Sequence, residues 1–71
     1  MQNTDKPKKA RIVFQDSRIL EGYILKCDFH MNTLISNSIE YRLNSQDNKW
    51  KKRNIGLCVI RGNSISTISV L

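Results

Sequence analysis

Cysteine, histidine and glycine are scarce in this chain of 71 residues, and their scarcity excludes several classes of protein. Two cysteines and one histidine cannot build a disulfide framework, and they supply too few ligands for a four-coordinate zinc site. No glycine-rich phosphate loop, catalytic triad or turn with paired carboxylates is visible. The sequence therefore predicts a protein that is not an enzyme and uses no metal or other cofactor. Cys27 and Cys58 are expected to be small buried hydrophobic residues.

Aromatic residues and long apolar runs are also few. One tryptophan, two tyrosines and two phenylalanines are spread over separate segments, which makes the aromatic groove of a peptide-binding barrel an unattractive alternative. No apolar run approaches the roughly 20 residues of a membrane span. The polar segment 1–10 does not resemble a secretory signal. We therefore expect an intracellular protein with reduced thiols and no membrane-spanning segment.

Positive charge is what the chain has in excess. Twelve lysines and arginines stand against six acidic residues, which gives a formal net charge of +6 and a pI near 9.8. This balance favours a polyanionic partner, either nucleic acid or an acidic membrane surface. A single domain of this size buries a modest core, and disulfide and zinc stabilisation are already excluded. Association with partner subunits is therefore the expected source of additional stability.

The arrangement of apolar residues after residue 10 indicates strands. Apolar and polar residues alternate with a period of two, and no segment sustains the period of 3.6 that is typical of a helix. Segment 1–10 is interpreted as a basic N-terminal arm or short helix. Segment 49–53 is interpreted as a solvated basic loop, with contact to an RNA backbone as the alternative. Gly22 suggests a bend within a strand. The predicted fold is all-β, a five-stranded, strongly bent antiparallel sheet or small open barrel, with strands near 11–15, 18–28, 32–42, 55–60 and 64–71.

The last two predicted strands suggest contact with other subunits. Segment 55–60 is apolar on both faces, which in so small a protein indicates that a neighbour covers one of them. The sequence ends within the last strand, so that strand is expected to be an edge of the sheet. Unpaired apolar edges tend to pair with another chain. Both features predict assembly.

Two short segments, each at a strand end or turn, carry side chains that can bind a nucleotide base. They read DFHMN at 28–32 and IRGN at 60–63. Together they offer an imidazole, carboxamides and a guanidinium, which can stack on a base or form hydrogen bonds with its edge. Alone, each segment would be an ordinary solvated turn. The two segments lie about thirty residues apart, and what favours a single-stranded RNA site is the family resemblance that they carry together.

The paired segments resemble the two sequence motifs of the Sm/LSm family of RNA-binding ring proteins. The resemblance covers about 11–71, with the first motif in 11–42 and the second in 53–71. Ser17 stands where many members have glycine. Segments 40–42 and 52–57 look most like those of the B-type Sm proteins. The matching positions are Asp16, Arg18, Gly22, Asp28, His30, Met31 and Asn32 in the first motif, and Gly56, Ile60, Arg61, Gly62 and Asn63 in the second.

The resemblance implies an RNA-binding subunit of a six- or seven-membered ring. Fourth-to-fifth strand pairing would place Leu57, Val59, Ile65 and Ile68 at the subunit interface. Uridine-rich single-stranded RNA, in particular small nuclear RNA, would lie in the central hole. With other Sm proteins such a ring forms the core of spliceosomal ribonucleoproteins, in the nucleus and cytoplasm. The alternative is an LSm or archaeal-type homo-oligomer that acts in RNA decay or as an RNA chaperone.

The resemblance also assigns roles within the RNA site. His30 and Arg61 would supply flat faces for stacking, and Asn32 would pair with the edge of uracil. Gly62, with Asn63 beside it, would let the backbone approach the base. Asp28 is expected to hold Asn32 or Arg61 in place rather than to contact RNA, because a carboxylate repels phosphate.

Overall fold

The computed structural model describes residues 6–71 and contains five strands and one short 3-10 turn, η1. Part of the segment predicted as a basic arm or short helix lies outside the described residues. Its last residues already belong to β1, which begins at Lys8 rather than near Arg11. The elements are β1 (Lys8–Phe14), β2 (Ile19–Cys27), β3 (Thr33–Asn44), β4 (Lys49–Ile60), η1 (Gly62–Ser64) and β5 (Ile65–Val70).

The strands form one sheet in the order β4-β3-β2-β1-β5, and each neighbouring pair is antiparallel. The predicted all-β fold is therefore confirmed. Gly22 packs closely against β3, since a Cβ at this position would approach the carbonyl oxygen of Ser36 to 2.8 Å. The pairing of β2 with β3 also shifts register around this glycine, as expected at a bend. Within residues 6–71, β4 and β5 each keep one unpaired side.

The interpretation of segment 49–53 as a loop is wrong. These residues form the first part of β4, where Lys49 pairs with Asn44 and Arg53 pairs with Glu40. The turn is confined to residues 45–48, and the N–H of Asn48 donates to the carbonyl of Asn44 at 2.8 Å. Long hydrophilic side chains can project from an exposed strand into water, so charge alone did not distinguish this strand from a loop.

A bulge in β3 changes which side chains face the core. The predicted period of two would place Ile35, Ile39 and Tyr41 on one face, but Asn37 has a φ of 49° and the pairing with β4 shifts register here. Ile35 is fully buried, whereas Ile39 and Tyr41 are only half-buried and Glu40 points inward. The predicted period of two is therefore interrupted within β3, because one extra residue reverses the alternation beyond the bulge.

The apolar core is small and lies between the inner faces of the bent sheet. Its fully or nearly buried side chains come from four of the five strands, and three half-buried residues pack against them. Cys58 is one of these three, but Cys27 is exposed at the end of β2, so its predicted burial is wrong. The buried members are Ile12, Phe14, Leu20, Ile35 and Ile60, and the half-buried ones are Cys58, Ile65 and Ile68.

The turn between β1 and β2 holds Ser17 in a left-handed conformation, with a φ of 75°. A serine there is strained, whereas glycine adopts this conformation readily. We expect Ser17→Gly to raise the free energy of unfolding by about 1 kcal/mol. The measurement is urea unfolding at fixed protein concentration. Ser66→Gly, in β5 where glycine should destabilise, is the matched control; a Ser17→Gly variant no more stable than the parent would contradict the prediction.

Candidate nucleic-acid interface

Two turns meet at one end of the sheet and form the candidate site. Thr33, at the start of β3, pairs with Ile60, at the end of β4, so the turns that flank this pair are brought together. A hydrogen bond joins them directly: the N–H of Gly62 donates to Oδ1 of Asn32 at 2.9 Å. The paired segments, separated by thirty residues in sequence, are thus neighbours in the fold.

Asp28 organises the first of these turns. Its Oδ1 accepts the backbone N–H groups of His30 at 2.8 Å and of Asn32 at 3.0 Å. Its Oδ2 accepts the side-chain amide of Asn32 at 3.1 Å. Of the two partners proposed for this carboxylate, Asn32 is therefore the one it contacts.

The pKa of Asp28 reflects these contacts. Desolvation acts to raise the pKa, but the hydrogen bonds from the Asn32 and His30 backbones and the Asn32 side chain outweigh it, so the pKa lies below its ordinary value. The ionised carboxylate therefore contributes fully to the turn above the ordinary aspartate pKa. That contribution is lost as the pH falls through the lowered pKa.

Gly62 is required by the approach of the two turns. A Cβ at this position would lie 1.8 Å from the carbonyl oxygen of His30 and 3.0 Å from the carbonyl carbon of Met31. No side chain fits in this space, whatever its chemistry. Glycine is therefore required at position 62 because the two turns are in contact there. That Gly62 also lets the backbone approach an RNA base is a separate proposal.

All five residues expected to contact RNA line a single open cavity of about 390 Å³. The carbonyl oxygen of Asn63 also accepts the side-chain amide of Gln15 at 3.2 Å, and the N–H of Gln15 donates to the carbonyl of Ser64 at 3.0 Å. Gln15 therefore anchors the second turn to the end of β1, a role for which the sequence carried no signal. The residues that line the cavity are His30, Asn32, Arg61, Gly62 and Asn63.

A further flat side chain stands beside the cavity. Phe29 is 83% exposed, and its ring lies edge-on to that of His30, with centroids 5.5 Å apart and an interplanar angle of 89°. Sequence reasoning did not select Phe29, although an aromatic residue next to a predicted stacking residue was an available signal. The turn thus presents two differently oriented ring faces on which bases can stack.

A buried carboxylate, Glu40, was not singled out by sequence reasoning. Its Oε2 lies 3.1 Å from Nη1 of Arg18, and its Oε1 lies 3.2 Å from Nη2 of Arg53. Burial of Arg18 disfavours its charge, but the nearby carboxylates of Glu40 and Asp16 outweigh this, so its pKa is raised. Glu40 therefore ties the β1–β2 turn to the middle of β4. The strand bulge that turns Glu40 inward could not be read from the sequence.

The four predicted interface residues lie on two separate strands. Leu57 and Val59 are 66% and 71% exposed on β4, whereas Ile65 and Ile68 on β5 are half-buried against the core. β4 and β5 are at opposite ends of the strand order, so the four residues belong to two different edge strands. If one edge strand of a subunit contacts the other edge strand of the next subunit, copies or relatives of the chain can assemble head to tail.

Among residues 6–71, no group of three or more histidine, cysteine, aspartate or glutamate side chains could hold a metal ion. Over the same range, no helix is both long enough and apolar enough to cross a membrane.

Comparison with protein families identifies similar sequences. The LSM domain model matches residues 2–70. Small nuclear ribonucleoprotein-associated protein B of Dictyostelium discoideum is 34% identical over 65 residues, which cover 87% of this chain and 24% of that protein. A probable small nuclear ribonucleoprotein G of Arabidopsis thaliana is 38% identical over 64 residues, covering 90% of this chain and 72% of the relative. The chain thus spans about a quarter of the length of the Dictyostelium relative.

Comparison with solved structures gives the same fold. A heptameric archaeal Sm protein matches with a TM-score of 0.71 and 28% identity, over 92% of this chain and 87% of that one. A heptamer of the P. aerophilum Sm protein matches equally well, with a TM-score of 0.71 and 28% identity over 92% of this chain and 80% of that one.

Proposed function

The chain belongs to the LSM-domain family, and on that premise we propose that it is a subunit of a ring that binds uridine-rich single-stranded RNA. Members of this family are RNA-binding structural components rather than enzymes. The hydrogen bond from Gly62 to Asn32 is the observation that carries the proposal, because it makes one cavity from two distant motifs. In that cavity, His30 and Arg61 provide stacking faces and Asn32 provides the polar contact to the base.

The way Asn32 is held supports the proposed preference for uracil. Its Nδ2 donates one hydrogen to Asp28 and its Oδ1 accepts one from Gly62, so the carboxamide cannot flip. One N–H and one lone pair remain to bind a base. An amide of fixed polarity can accept from N3–H and donate to O4 of uracil, whereas cytosine presents the reverse order of donor and acceptor.

Ring formation supports the RNA site energetically. One open pocket binds a base weakly. When several pockets of a ring bind the same RNA strand, each further contact is intramolecular, so the overall affinity for RNA rises through effective concentration. The edges of β4 and β5 are unpaired in the described part of the chain, and Leu57 and Val59 are exposed beside one of them. We infer that β4 pairs with β5 of the next subunit. Ile65 and Ile68, which belong to β5, would then lie at this interface.

The names of the curated relatives favour the spliceosomal form of this function. Two of these relatives are small nuclear ribonucleoproteins, of the B and G types. We therefore infer a ring with other Sm proteins, bound to small nuclear RNA, that acts in pre-mRNA splicing and is located in the nucleus and cytoplasm. The heptameric archaeal structures support the second candidate, a homo-oligomer that acts in RNA decay or chaperoning.

Substitution of Asn32 tests the proposed pocket. Asn32→Ala removes the proposed contact to the base, the side-chain hydrogen bond to Asp28 and the hydrogen bond from Gly62 that joins the two turns. We therefore expect the oligouridine affinity of the assembled ring to fall about tenfold or more. Fluorescence anisotropy with labelled oligouridine and oligocytidine measures both affinity and preference. Asn54→Ala, which removes an exposed carboxamide on β4, is the matched control. Undiminished binding and uracil preference in Asn32→Ala would contradict the proposal.

A further inference from the structure

A second cavity lies on the outer face of the sheet, away from the strand-end pocket. Its volume is about 360 Å³. Ile19 and Glu21 flank the buried Leu20, and Tyr41 follows the buried Glu40, so these side chains point away from the core. Strand pairing places Trp50 opposite Leu43, two residues beyond Tyr41 on the same face. The lining residues are Arg11, Ile19, Glu21, Tyr41 and Trp50.

Trp50 is the largest flat side chain of this outer cavity. It is the only tryptophan of the chain and is 55% exposed. Tyr41 supplies a second aromatic wall. An exposed indole at the mouth of a cavity is a surface on which a base of any type can stack, because every base has a π-face.

Positive charge surrounds this tryptophan. Lys52 lies opposite Tyr41 and two residues from Trp50, so it shares the face of the indole, whereas Lys49 and Lys51 project from the opposite face of β4. The nearby acidic groups are already paired: Glu21 with Arg11 at 2.6 Å, and Asp47 with Lys51 at 3.2 Å. Among residues 6–71, Lys52 forms no ion pair. The surface therefore offers an unneutralised cation beside a stacking face.

We propose that this outer hairpin surface, formed by Tyr41, Trp50 and Lys52, is a second binding site for single-stranded RNA. A basic strand interleaved with an aromatic residue is complementary to a phosphate backbone with exposed bases, and less so to an apolar peptide. Ten residues of β4 separate Trp50 from Ile60, a distance on the order of 30 Å. The site can therefore hold RNA that flanks the segment in the strand-end pocket.

The fluorescence of Trp50 tests this proposal directly. It is the only tryptophan, so quenching by a stacked base reports on the outer surface alone. The proposal assumes an RNA ligand, as does the proposed function, but Arg61→Ala disables the strand-end pocket and separates the two. We expect a twenty-nucleotide oligouridine to quench Trp50 in both the parent protein and Arg61→Ala. We also expect Trp50→Ala to weaken binding of that RNA about tenfold in the Arg61→Ala background, as measured by anisotropy.

A charge-matched pair of variants completes the experiment. Lys52→Gln should weaken the quenching and reduce the magnitude of the log–log salt slope by about 0.7, as expected for one lost phosphate contact. Lys26→Gln removes an exposed lysine from β2, outside the outer surface, and should change the quenching little. Binding without quenching would overturn the proposal, whether or not the strand-end pocket holds RNA. A change in Trp50 emission on ring assembly without RNA, with no further change when RNA is added, would assign the surface to a protein neighbour and also overturn it.

Discussion

Val59→Asp is expected to abolish ring assembly while each subunit remains folded. Val59 is 71% exposed on β4, so a carboxylate there is hydrated in the free subunit. If this edge pairs with β5 of a neighbour, the same carboxylate loses water without a partner, at a cost of several kcal/mol. Because RNA affinity depends on several linked pockets, we expect oligouridine binding to fall a hundredfold or more. Size-exclusion chromatography with light scattering measures the assembly, and circular dichroism measures the fold.

The matched control places the same charge elsewhere. Leu25→Asp alters an exposed apolar residue of β2, a strand that has neighbours on both sides. This variant should keep the mass and RNA affinity of the parent ring. A Val59→Asp protein with the parent mass would show that β4 is not the interface.

Gly62→Ala is expected to separate the two turns that make the RNA pocket. The added methyl group would lie 1.8 Å from the carbonyl oxygen of His30, a distance that no adjustment of side chains can relieve. The turns must move apart, which breaks the hydrogen bond between Gly62 and Asn32. We expect the free energy of unfolding to fall by about 2 kcal/mol. Oligouridine binding should fall tenfold or more while the ring persists.

Gly56→Ala distinguishes this steric effect from backbone strain. Gly56 has a φ of 87°, but a Cβ there meets nothing within 4 Å. This variant should lose about 1 kcal/mol of stability through strain alone and keep its RNA affinity. Equal RNA affinity in Gly62→Ala and the parent ring would contradict the account of the pocket.

The strands could be predicted because they depend on local signals, whereas the pairing of the two motifs was predicted from the family resemblance. Alternation of apolar residues revealed the strands, and the segments around Asn32 and Gly62 contain residue types suited to a base. The family resemblance connected those segments, and the structure joins them by a hydrogen bond. Asp28 was predicted to hold Asn32 or Arg61 in place because a carboxylate repels phosphate, and it contacts Asn32.

Other features depend on backbone geometry that the sequence does not display. The bulge at Asn37 reverses the faces of β3, so Glu40 is buried and Tyr41 joins the outer surface. The basic run around Trp50 looked like a loop because nothing in it alternates, yet pairing with β3 makes it a strand. These two errors share a cause, since both concern the long hairpin whose register is set by tertiary pairing.

Native mass spectrometry of the complex purified through this chain from its own cells tests the central claim most directly. The account predicts a ring of seven different small subunits that holds one short, uridine-rich RNA. A single-subunit ring with RNA would retain the pocket and replace the spliceosomal assignment with the homo-oligomeric one. A monomer without RNA would contradict the account.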